Sequence, residues 1–405
     1  MFTEDITAIV VDVGSLSLKA GYSGEDTPRL VMPSQVCINR EQNQYYVGEN
    51  KLNIRHDNTD LIYTYKNGLV QDFDAFEKLL QDVYDNQIRV SPNDYCLLMS
   101  ESSIHNTEQR EKICEIAFEK LNVPNFFIVK SGVLSCFSSG RSTALILDTG
   151  AYSTYAIPVH DGFALQKCVV KFDIGGEYLT DKILNYIEKE EKKVVQPRYA
   201  LQFAKDVPKK IEQYLNFPNT LQSYELYCKH QIARDIKENI CRVDDKGLTV
   251  GEMQLERTEY ELPDGNFIHF DTARSKFSEY FFSPFENSDM AEEDSLKFRG
   301  MHHMVLEAIN QCDIDIKRQL FNNIILTGGN SLLSGFSSRL QNKLNDISPP
   351  NSKVKMIAYP SSVERKFSSW IGGSILASLG SFQSLWIGKQ EYMEHGKSIV
   401  EKKCN

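Results

Sequence analysis

The feature that most constrains the fold is a pattern that occurs twice in the chain. The stretch "TAIVVDVGSLSLKAGYSG" begins at Thr7, and "STALILDTGAYSTYAIPVHDG" begins at Ser142. Each is an apolar run rich in β-forming residues, then Asp-x-Gly, a turn and a second run, which predicts a β-meander. A further strand, "FALQKCVVKFD", is expected after the second copy. Either turn alone fits a tight hairpin with a solvated acid at its tip, but two turns in matching contexts favour a phosphate site.

Helical patterns follow each meander, in "AFEKLLQDVYDNQI" and in "YLTDKILNYIEKEEKK". A third element, "NNIILTGGNSLLSGFSSRLQNKL" from Asn322, predicts a strand, a Gly-Gly turn and a helix with apolar spacing. A chain of 405 residues is too long for one small core. We therefore predict an α/β fold in which two similar domains face each other, with one Asp-x-Gly turn from each lining a shared cleft.

The stretch "KFSSWIGGSILASLGSFQSLW" near the C-terminus predicts a single helix. Its apolar residues recur at spacings of three or four from Trp370 to Trp386, and Ser368 or Ser369 is a suitable N-cap. The small residues of "GGS" would let another backbone approach closely. Most of this helix is expected in the core, and its C-terminal part is expected either in the core or along a surface groove.

Composition argues against several classes of protein. The net charge is −10, which gives no support to a general nucleic-acid binder, since such proteins usually carry a basic face. The nine cysteines, from Cys37 to Cys404, form no Cys-x-x-Cys pair, so neither zinc nor a disulfide framework is expected. The start, "MFTEDITAIV", lacks the basic stretch of a signal peptide, and no apolar run approaches about 18 residues. Reduced thiols in the cytosol or nucleus, away from membranes, are therefore expected.

The two turns have the composition of a polyphosphate site. Phosphate groups need backbone N–H donors at close range, which glycine permits, and a lysine adds a point charge. Mg²⁺ prefers oxygen ligands and keeps several waters, so Asp12 and Asp148 are candidates to hold it through its water shell. The Gly328-Gly329 turn would suit a flat base or a ribose, because it offers backbone without side-chain bulk. The candidate phosphate ligands are Gly14, Ser15, Leu16, Lys19, Gly150 and Ala151.

Over its whole length the chain resembles the actin family. The similar stretches are "VGSLSLKAGYSGED", "GRSTALILDTG", "YELPDG", "ARDIKENIC", "CDIDIKRQLFNNIILTGGN", "ERKFSSWIGGSILASL" and "SIVEKKCN". The resemblance implies an actin-like ATPase fold, with two similar βββαβα-type domains around an ATP·Mg²⁺ cleft. The first domain would comprise residues 1–138 and 368–405, with a small subdomain at about 35–70. The second would comprise residues 139–367, with a small subdomain at about 185–270.

The resemblance also implies roles for individual residues. The family's phosphate contacts and metal-water acids fall on the residues already named in the two turns. The family's base and ribose contacts fall on Gly176, Arg234, Lys237, Glu238, Gly328, Gly329, Asn330, Leu333 and Lys366. The cofactors implied are therefore ATP, or ADP, and Mg²⁺.

Several departures from the family pattern point away from filament-forming actins. Ser131 stands where the family has the glutamine that positions the attacking water, which predicts slow or absent hydrolysis. Tyr155 replaces a histidine of the same region. The first turn carries Leu16 in place of a glycine, and the second reads "DTGAY", which predicts weaker nucleotide binding than in actin. Only eleven residues separate Ser34 from Tyr46, so the loop that reaches the next subunit in actin filaments is cut short.

The stretches "AIPVHDGFALQ", "VERKFSSWIGGSILASLGSF" and "SCFSSGRSTALILD" resemble one nuclear branch, the class-four actin-related proteins. That branch includes the actin-like subunit of SWI/SNF-type (BAF) chromatin remodellers and is shared with a histone acetyltransferase complex. The resemblance implies a nuclear scaffold subunit in transcription regulation, with cytoplasm as the alternative location. The implied partners are nuclear actin, a long helix of the remodeller's motor subunit, other subunits of such complexes, and histones. The implied groove for the partner helix is lined by Leu376, Leu379 and Phe382.

Two other functions remain open at this point. Sugar kinases share the two-domain architecture, so a working ATPase or phosphotransferase is one alternative, although no carboxylate beside the turns stands out as a base for a sugar hydroxyl. A cytoskeletal, filament-associated actin or actin-related protein is the other. The short loop after Ser34 and the altered turns argue against it.

Overall fold

The computed structural model describes residues 7–104, 106–204, 211–245, 258–283, 298–350 and 352–404. Two six-stranded sheets organise this part of the chain. The strands are β1 Ala8–Val13, β2 Ser17–Tyr22, β3 Leu30–Pro33, β4 Gln35–Asn39, β5 Gln44–Val47, β6 Thr59–Tyr63, β7 Tyr65–Lys66, β8 Leu69–Val70, β9 Cys96–Glu101, β10 Asn125–Lys130, β11 Ala144–Thr149, β12 Thr154–His160, β13 Phe163–Ala164, β14 Val170–Phe172, β15 Leu201–Phe203, β16 Ile211–Tyr214, β17 Glu259–Glu261, β18 Phe267–His269, β19 Ile324–Thr327, β20 Met356–Ile357 and β21 Ile387–Gly388.

The two sheets repeat one arrangement, which confirms the predicted α/β fold. In the first, ordered β21-β10-β9-β1-β2-β3, β1 is antiparallel to β2 and parallel to β9. In the second, ordered β13-β12-β11-β19-β20, β11 is antiparallel to β12 and parallel to β19. The central strands β1 and β11 are almost continuously apolar, as expected of strands covered on both faces. We call the parts of the chain that carry these sheets the first half and the second half.

The stretch "FALQKCVVKFD" is not the single strand that its sequence predicts. It forms β13, a short 3₁₀ turn at Gln166–Cys168, and then β14. Both short strands pair with β12, β13 opposite Val159 and His160 and β14 opposite residues 154–156. Between these two pairing sites the chain leaves the edge of the sheet, forms the 3₁₀ turn and returns to the same strand.

Helices cover both sheets and join them. The α-helices in the described part are Glu49–Leu52, Phe73–Asp82, Thr107–Glu115, Ser131–Ser138, Gly176–Asn185, Gln222–Ile240, Ala273–Glu279, Met301–Asn310, Ile314–Phe321, Phe336–Ile347, Ser362–Lys366, Ser368–Ser378, Lys389–His395 and Ile399–Lys403. None of the helices in these ranges has both the length and the apolar character needed to cross a membrane.

The Ser131–Ser138 and Ser368–Ser378 helices cross at the junction of the two halves. A Cβ added at Gly372 would lie 1.8 Å from the carbonyl oxygen of Leu134, so only glycine allows this approach. The Trp370 indole donates to the carbonyl of Val10 at 2.9 Å and thereby fixes the helix on the first sheet. The predicted domain boundaries near residues 138 and 368 fall at this crossing and stay a prediction.

The C-terminal helix is shorter than its apolar spacing predicts, and its predicted cap is wrong. The helix ends at Ser378, Leu379 is extended, and a 3₁₀ turn follows at Gly380–Ser384. The extended backbone of Leu379 breaks the helical hydrogen-bond ladder and so ends the helix. The N-cap is Phe367 and has no side-chain cap, because Ser368 Oγ instead lies 3.1 Å from Ser135 Oγ.

Candidate functional site

A cleft of about 570 Å³ lies between the two sheets, and both Asp-x-Gly turns line it. This volume is within the range of small-molecule sites. The structure brings together at the cleft wall all but one of the predicted ligand-site residues. They are Asp12, Gly14, Ser15, Leu16, Lys19, Ser131, Asp148, Gly150, Ala151, Gly176, Lys237, Glu238, Gly328, Gly329, Asn330, Leu333 and Lys366.

The two turns have the same hydrogen-bond geometry. The N–H of Gly14 donates to the carbonyl of Ser17 at 3.0 Å, and the N–H of Gly150 donates to the carbonyl of Ser153 at 3.0 Å. These two N–H groups close their own turns, and the assignment of Gly14 and Gly150 to phosphate contacts stays a prediction. Within the described ranges, the N–H groups of Ser15, Leu16 and Ala151 donate to no backbone carbonyl. These three remain candidate phosphate donors.

Two carboxylates, Asp12 and Asp148, line the cleft, and one lysine, Lys19, pairs with the first of them. Lys19 Nζ lies 3.3 Å from Asp12 Oδ2, and Ser100 Oγ donates to Asp12 Oδ1 at 2.5 Å. Burial, and then the nearby charge of Asp12, raise the pKa of Asp148 to about 6, and Lys19 offsets this only in part. One lysine therefore leaves negative charge uncompensated, as expected of a site that takes a cation.

The residues present fit a magnesium ion held with a polyphosphate. Among the residues that the structure describes, no group of three or more His, Cys, Asp or Glu side chains could enclose a metal. Mg²⁺ is commonly held by one or two carboxylates, waters and substrate phosphates instead of an all-protein cage. Asp12 and Asp148, one from each half, match that ligand set.

The wall beside the second phosphate turn is built on Gly328, Gly329 and Asn330. Gly328 has φ of +89°, and a Cβ there would lie 2.3 Å from the carbonyl oxygen of Thr149, so a side chain is excluded. A Cβ at Gly329 would meet nothing within 4 Å, which leaves open space for a ligand. The Asn330 amide donates to the carbonyl of Gly150 at 2.6 Å and ties this wall to the second turn.

Arg234 is the predicted ligand residue that does not line the cleft, and its assignment to the base and ribose site stays a prediction. Its guanidinium donates twice to Glu177 Oε1, at 3.0 and 2.9 Å. Burial alone would raise the pKa of Glu177, but His230, Arg234 and Lys237 outweigh it and bring the pKa to about 2. Lys237 does reach the wall, where its Nζ donates to the carbonyl of Gly176 at 3.0 Å.

Ser131 begins a helix at the cleft wall, in surroundings rich in hydroxyl groups. The next N–H, of Gly132, donates to Ser103 Oγ at 3.3 Å, and Ser102 Oγ donates to the Tyr155 hydroxyl at 3.4 Å. Burial raises the pKa of Tyr155 to about 12, so this phenol stays protonated at neutral pH. Ser131 and Tyr155 thus supply hydroxyls where the family pattern has an amide and an imidazole.

Sequence reasoning missed the segment Ser100–Glu101–Ser102, which also lines the cleft. It forms the carboxyl end of β9, next to β1, and ligands of α/β sheets commonly bind outside such strand ends. The position of this segment at the end of a central strand could therefore have identified it from the sequence. Glu101 forms ion pairs with Arg110 at 3.1 Å and with Lys130 at 3.3 Å, so it does not offer a free carboxylate base to a sugar hydroxyl.

The predicted partner-groove residues separate into core and surface. Leu376 is 9% exposed and Phe382 is 3% exposed, and Phe382 packs edge-on against Phe127 at 5.0 Å between ring centroids. These two belong to the core of the first half, which corrects their assignment to the groove surface. Leu379 is 41% exposed. Ile375 and Leu385 are exposed beside it and extend an apolar surface at this end of the molecule.

Two matched sheets, with one Asp-x-Gly turn from each on a shared cleft, define an α/β protein with two similar halves around a cleft of small-molecule size. The chain belongs to the actin family, whose model matches residues 3–405. The fold of this family is generally a nucleotide-binding ATPase fold. The chain is 38% identical to Actin-related protein 4 of Oryza sativa, in both subsp. indica and subsp. japonica, over 99% of each chain. It is 37% identical to Actin-related protein 4 of Arabidopsis thaliana, again over 99% of each chain.

Proposed function

We propose that this chain is a non-polymerising nuclear actin-related protein that binds ATP, or ADP, with Mg²⁺ as a structural ligand. It acts as a scaffold subunit of chromatin remodelling and histone acetyltransferase complexes, in transcription regulation. The observation that carries the nucleotide part is the facing pair Asp12 and Asp148, set between two turns of equal geometry. A ligand that bridges two domains stabilises the closed state whether or not it is turned over.

Each part of the ligand has residues suited to it. Ser15, Leu16 and Ala151 offer N–H groups to phosphate, and Lys19 offers a positive charge. Bound Mg²⁺ would neutralise phosphate charge, with Asp12 and Asp148 holding its water shell. The base and ribose are assigned to the wall of Gly176, Lys237, Glu238, Gly328, Gly329, Asn330, Leu333 and Lys366.

The proposal that the protein does not polymerise is supported by the first small subdomain. β4 and β5 pair directly from Asn39 to Gln44, so only residues 40–43 form the connection. This tight turn replaces the loop that reaches a neighbouring subunit in actin filaments. Without that reach, a longitudinal contact between copies loses its main element.

The exposed surface at Ile375, Leu379 and Leu385 is assigned to a partner helix from the motor subunit of a remodeller. An amphipathic helix laid in an apolar groove is a common recognition mode. The similarity to proteins named Actin-related protein 4 supports this assignment. Nuclear actin, other subunits of these complexes and histones are the further proposed partners. Neither a membrane nor strong direct binding to nucleic acid is part of the proposal.

Affinity purification of the tagged full chain from nuclear extract tests the proposal. Remodeller and acetyltransferase subunits, with actin, should co-purify in stoichiometric amounts. Recovery of cytoskeletal filaments in place of these subunits would contradict it. The variant Leu379→Asp is the matched control, because it should lose the motor subunit and retain its fold.

A further inference from the structure

We infer that Tyr152 is the inner part of a clamp that holds the cleft shut and sets how fast a ligand enters and leaves. The inference rests on the proposed function where it concerns the nucleotide, and on contacts alone where it concerns closure. Tyr152 lies in the second phosphate turn and lines the cleft. Its aromatic side chain stands in a turn that is glycine-rich in the family pattern.

The outer part of the clamp is an apolar cluster shared by the two halves. Its buried members are Cys37, Leu52, Leu61, Tyr224 and Tyr227. The first three belong to the small subdomain of the first half, and the two tyrosines belong to the Gln222–Ile240 helix of the second. Burial of apolar side chains from both sides gives this contact the character of a core.

Polar contacts fix the register of the same interface. Ser223 Oγ donates to Asp60 Oδ1 at 2.6 Å, and the Tyr224 hydroxyl donates to the carbonyl of Leu52 at 2.8 Å. The N–H of Asn58 donates to the carbonyl of Asn219 at 2.9 Å. Hydrogen bonds between complementary partners favour one closed arrangement over a loose association.

The inner part of the clamp joins the phosphate turn itself to the opposite half. The Tyr152 ring packs edge-on against Tyr63, with 5.7 Å between centroids and 78° between planes. Lys66 Nζ lies 4.7 Å from the Tyr152 centroid, a cation–π distance. Beside them, Ser153 Oγ donates to Asn67 Oδ1 at 3.4 Å, and Lys171 Nζ donates to the carbonyl of Asn67 at 3.0 Å.

A ligand in the cleft can leave this side only if Tyr152 separates from Tyr63 and the outer cluster opens. Tyr152 therefore acts as a positioning residue that couples the second phosphate turn to the closure of the first small subdomain. Closure slows entry and exit together. The exchange rate, more than the affinity, is consequently the quantity that this residue controls.

Cys37 is a natural probe of closure that needs no nucleotide. Its side chain is 2% exposed within the outer cluster, and burial raises the pKa of its thiol to about 12, so it reacts only when the clamp opens. We expect iodoacetamide to label Cys37 of Tyr152→Ala about tenfold faster than in the unaltered protein, because an aromatic pair and a cation–π contact are lost. Labelling is quantified by peptide mass spectrometry.

Three further measurements separate local opening from unfolding. Cys114, which is fully buried in the core of the first half, should keep its labelling rate. Tyr392→Ala removes a comparable ring that stacks on Phe118 at 4.6 Å, away from the clamp, and should leave Cys37 protected. Tyr224→Phe, a variant expected to fold, should also speed Cys37 labelling. Unchanged Cys37 labelling in both Tyr152→Ala and Tyr224→Phe would overturn the inference, as would equal acceleration at Cys114.

Release of a fluorescent ATP analogue, chased with excess ATP, completes the test. Tyr152→Ala should release it about tenfold faster, and Tyr152→Phe, which keeps the ring, should stay close to the unaltered protein. Equal release rates for Tyr152→Ala and the unaltered protein would overturn the inference. If the unaltered protein binds no nucleotide, the proposed function fails, and the Cys37 labelling still decides the clamp.

Discussion

At the scale of single residues, the two aspartates of the cleft occupy different environments. Asp12 is paired with Lys19 and accepts a hydrogen bond from Ser100. Asp148 lies deeper, and burial with the nearby Asp12 raises its pKa to about 6, from an ordinary value of 3.8. The folded, ligand-free protein therefore binds a proton at Asp148 more tightly than the unfolded chain does. Its free energy of unfolding should therefore fall as the pH rises from the ordinary pKa of 3.8 to about 6.

Replacing Asp148 by Asn should remove this penalty. Because the group is ionised in both states at about pH 7, the folded protein bears the full cost of the buried charge there. We expect Asp148→Asn to raise the free energy of unfolding by on the order of 1–2 kcal/mol at about pH 7 and to change it little below about pH 4. Urea unfolding of ligand-free protein at both pH values measures the effect. A loss of stability at about pH 7 would contradict the assigned environment.

Ser131 should make ATP hydrolysis very slow. Transfer of a phosphoryl group to water needs a well-positioned nucleophile, and the serine hydroxyl is two heavy atoms shorter than a glutamine amide. Single-turnover hydrolysis with excess protein measures the rate. A rate equal to that of filamentous actin would contradict the prediction. An unchanged hydrolysis rate in Ser131→Gln would not contradict the prediction, since Ala151, Tyr152 and Tyr155 also differ from the family pattern.

At the scale of elements, the segment after Ser378 determines what faces a partner. The helix ends there, Leu379 stays exposed, and Phe382 turns into the core. Leu379→Asp should therefore abolish binding of a partner helix and leave the thermal midpoint nearly unchanged. Phe382→Asp, its matched control, should unfold the protein, because it buries an unpaired charge among Phe127 and Trp386. If Leu379→Asp also unfolds the chain, Leu379 is a core residue.

A buried ion cluster joins the Gly176–Asn185 and Gln222–Ile240 helices. Glu177 pairs with Arg234 at 2.9 Å and lies 3.6 Å from His230. Glu177→Gln should destabilise the protein by about 3 kcal/mol, since it leaves the largely buried guanidinium of Arg234 without its counter-ion. Glu225→Gln, which removes only a surface pair with Lys229, should cost less than about 1 kcal/mol. Equal losses in urea unfolding would show that the cluster contributes no more than a surface pair.

The same cluster has a pH dependence of its own. Burial opposes protonation of His230, but Asp181 and Glu177 outweigh it and raise the pKa of His230 to about 9. The stabilisation by protonated His230 is thus complete below its ordinary pKa of 6.5 and is lost as the pH rises toward about 9. His230→Gln should flatten the fall in stability over this alkaline range, measured by thermal unfolding. An unchanged slope would contradict this assignment.

The sequence predicted those elements whose signals are local. Apolar runs and Asp-x-Gly turns are visible within about 20 residues, so both meanders, the Gly-Gly turn and nearly all of the cleft wall followed from them. The partner of Arg234 was missed because Glu177 is distant in the chain, and the clamp was missed because Tyr63 and Tyr152 come from different halves. Apolar spacing continued past Ser378 and concealed the helix end, since core residues keep that spacing in a 3₁₀ turn.

At the scale of the whole molecule, the two halves are joined at the base by crossed helices and at the mouth by the clamp. Between them the cleft carries matched turns, and the first small subdomain ends in the tight turn at residues 40–43. This architecture predicts a monomer. In sedimentation under polymerising salt, the protein alone should stay in the supernatant, with actin as the positive control. A pelleted filament would contradict the account of the short turn.

We propose that the cleft binds ATP with Mg²⁺ through both halves at once. The thermal midpoint of the protein, measured against ATP concentration with Mg²⁺ and with a chelator, tests it most directly. The midpoint of the unaltered protein should rise with ATP·Mg²⁺, as expected of a ligand that binds only the folded state. Asp148→Ala should lose most of this rise, and Asp161→Ala, whose carboxylate is exposed on a distant turn, should keep it. Identical responses in the unaltered protein and Asp148→Ala would contradict the account.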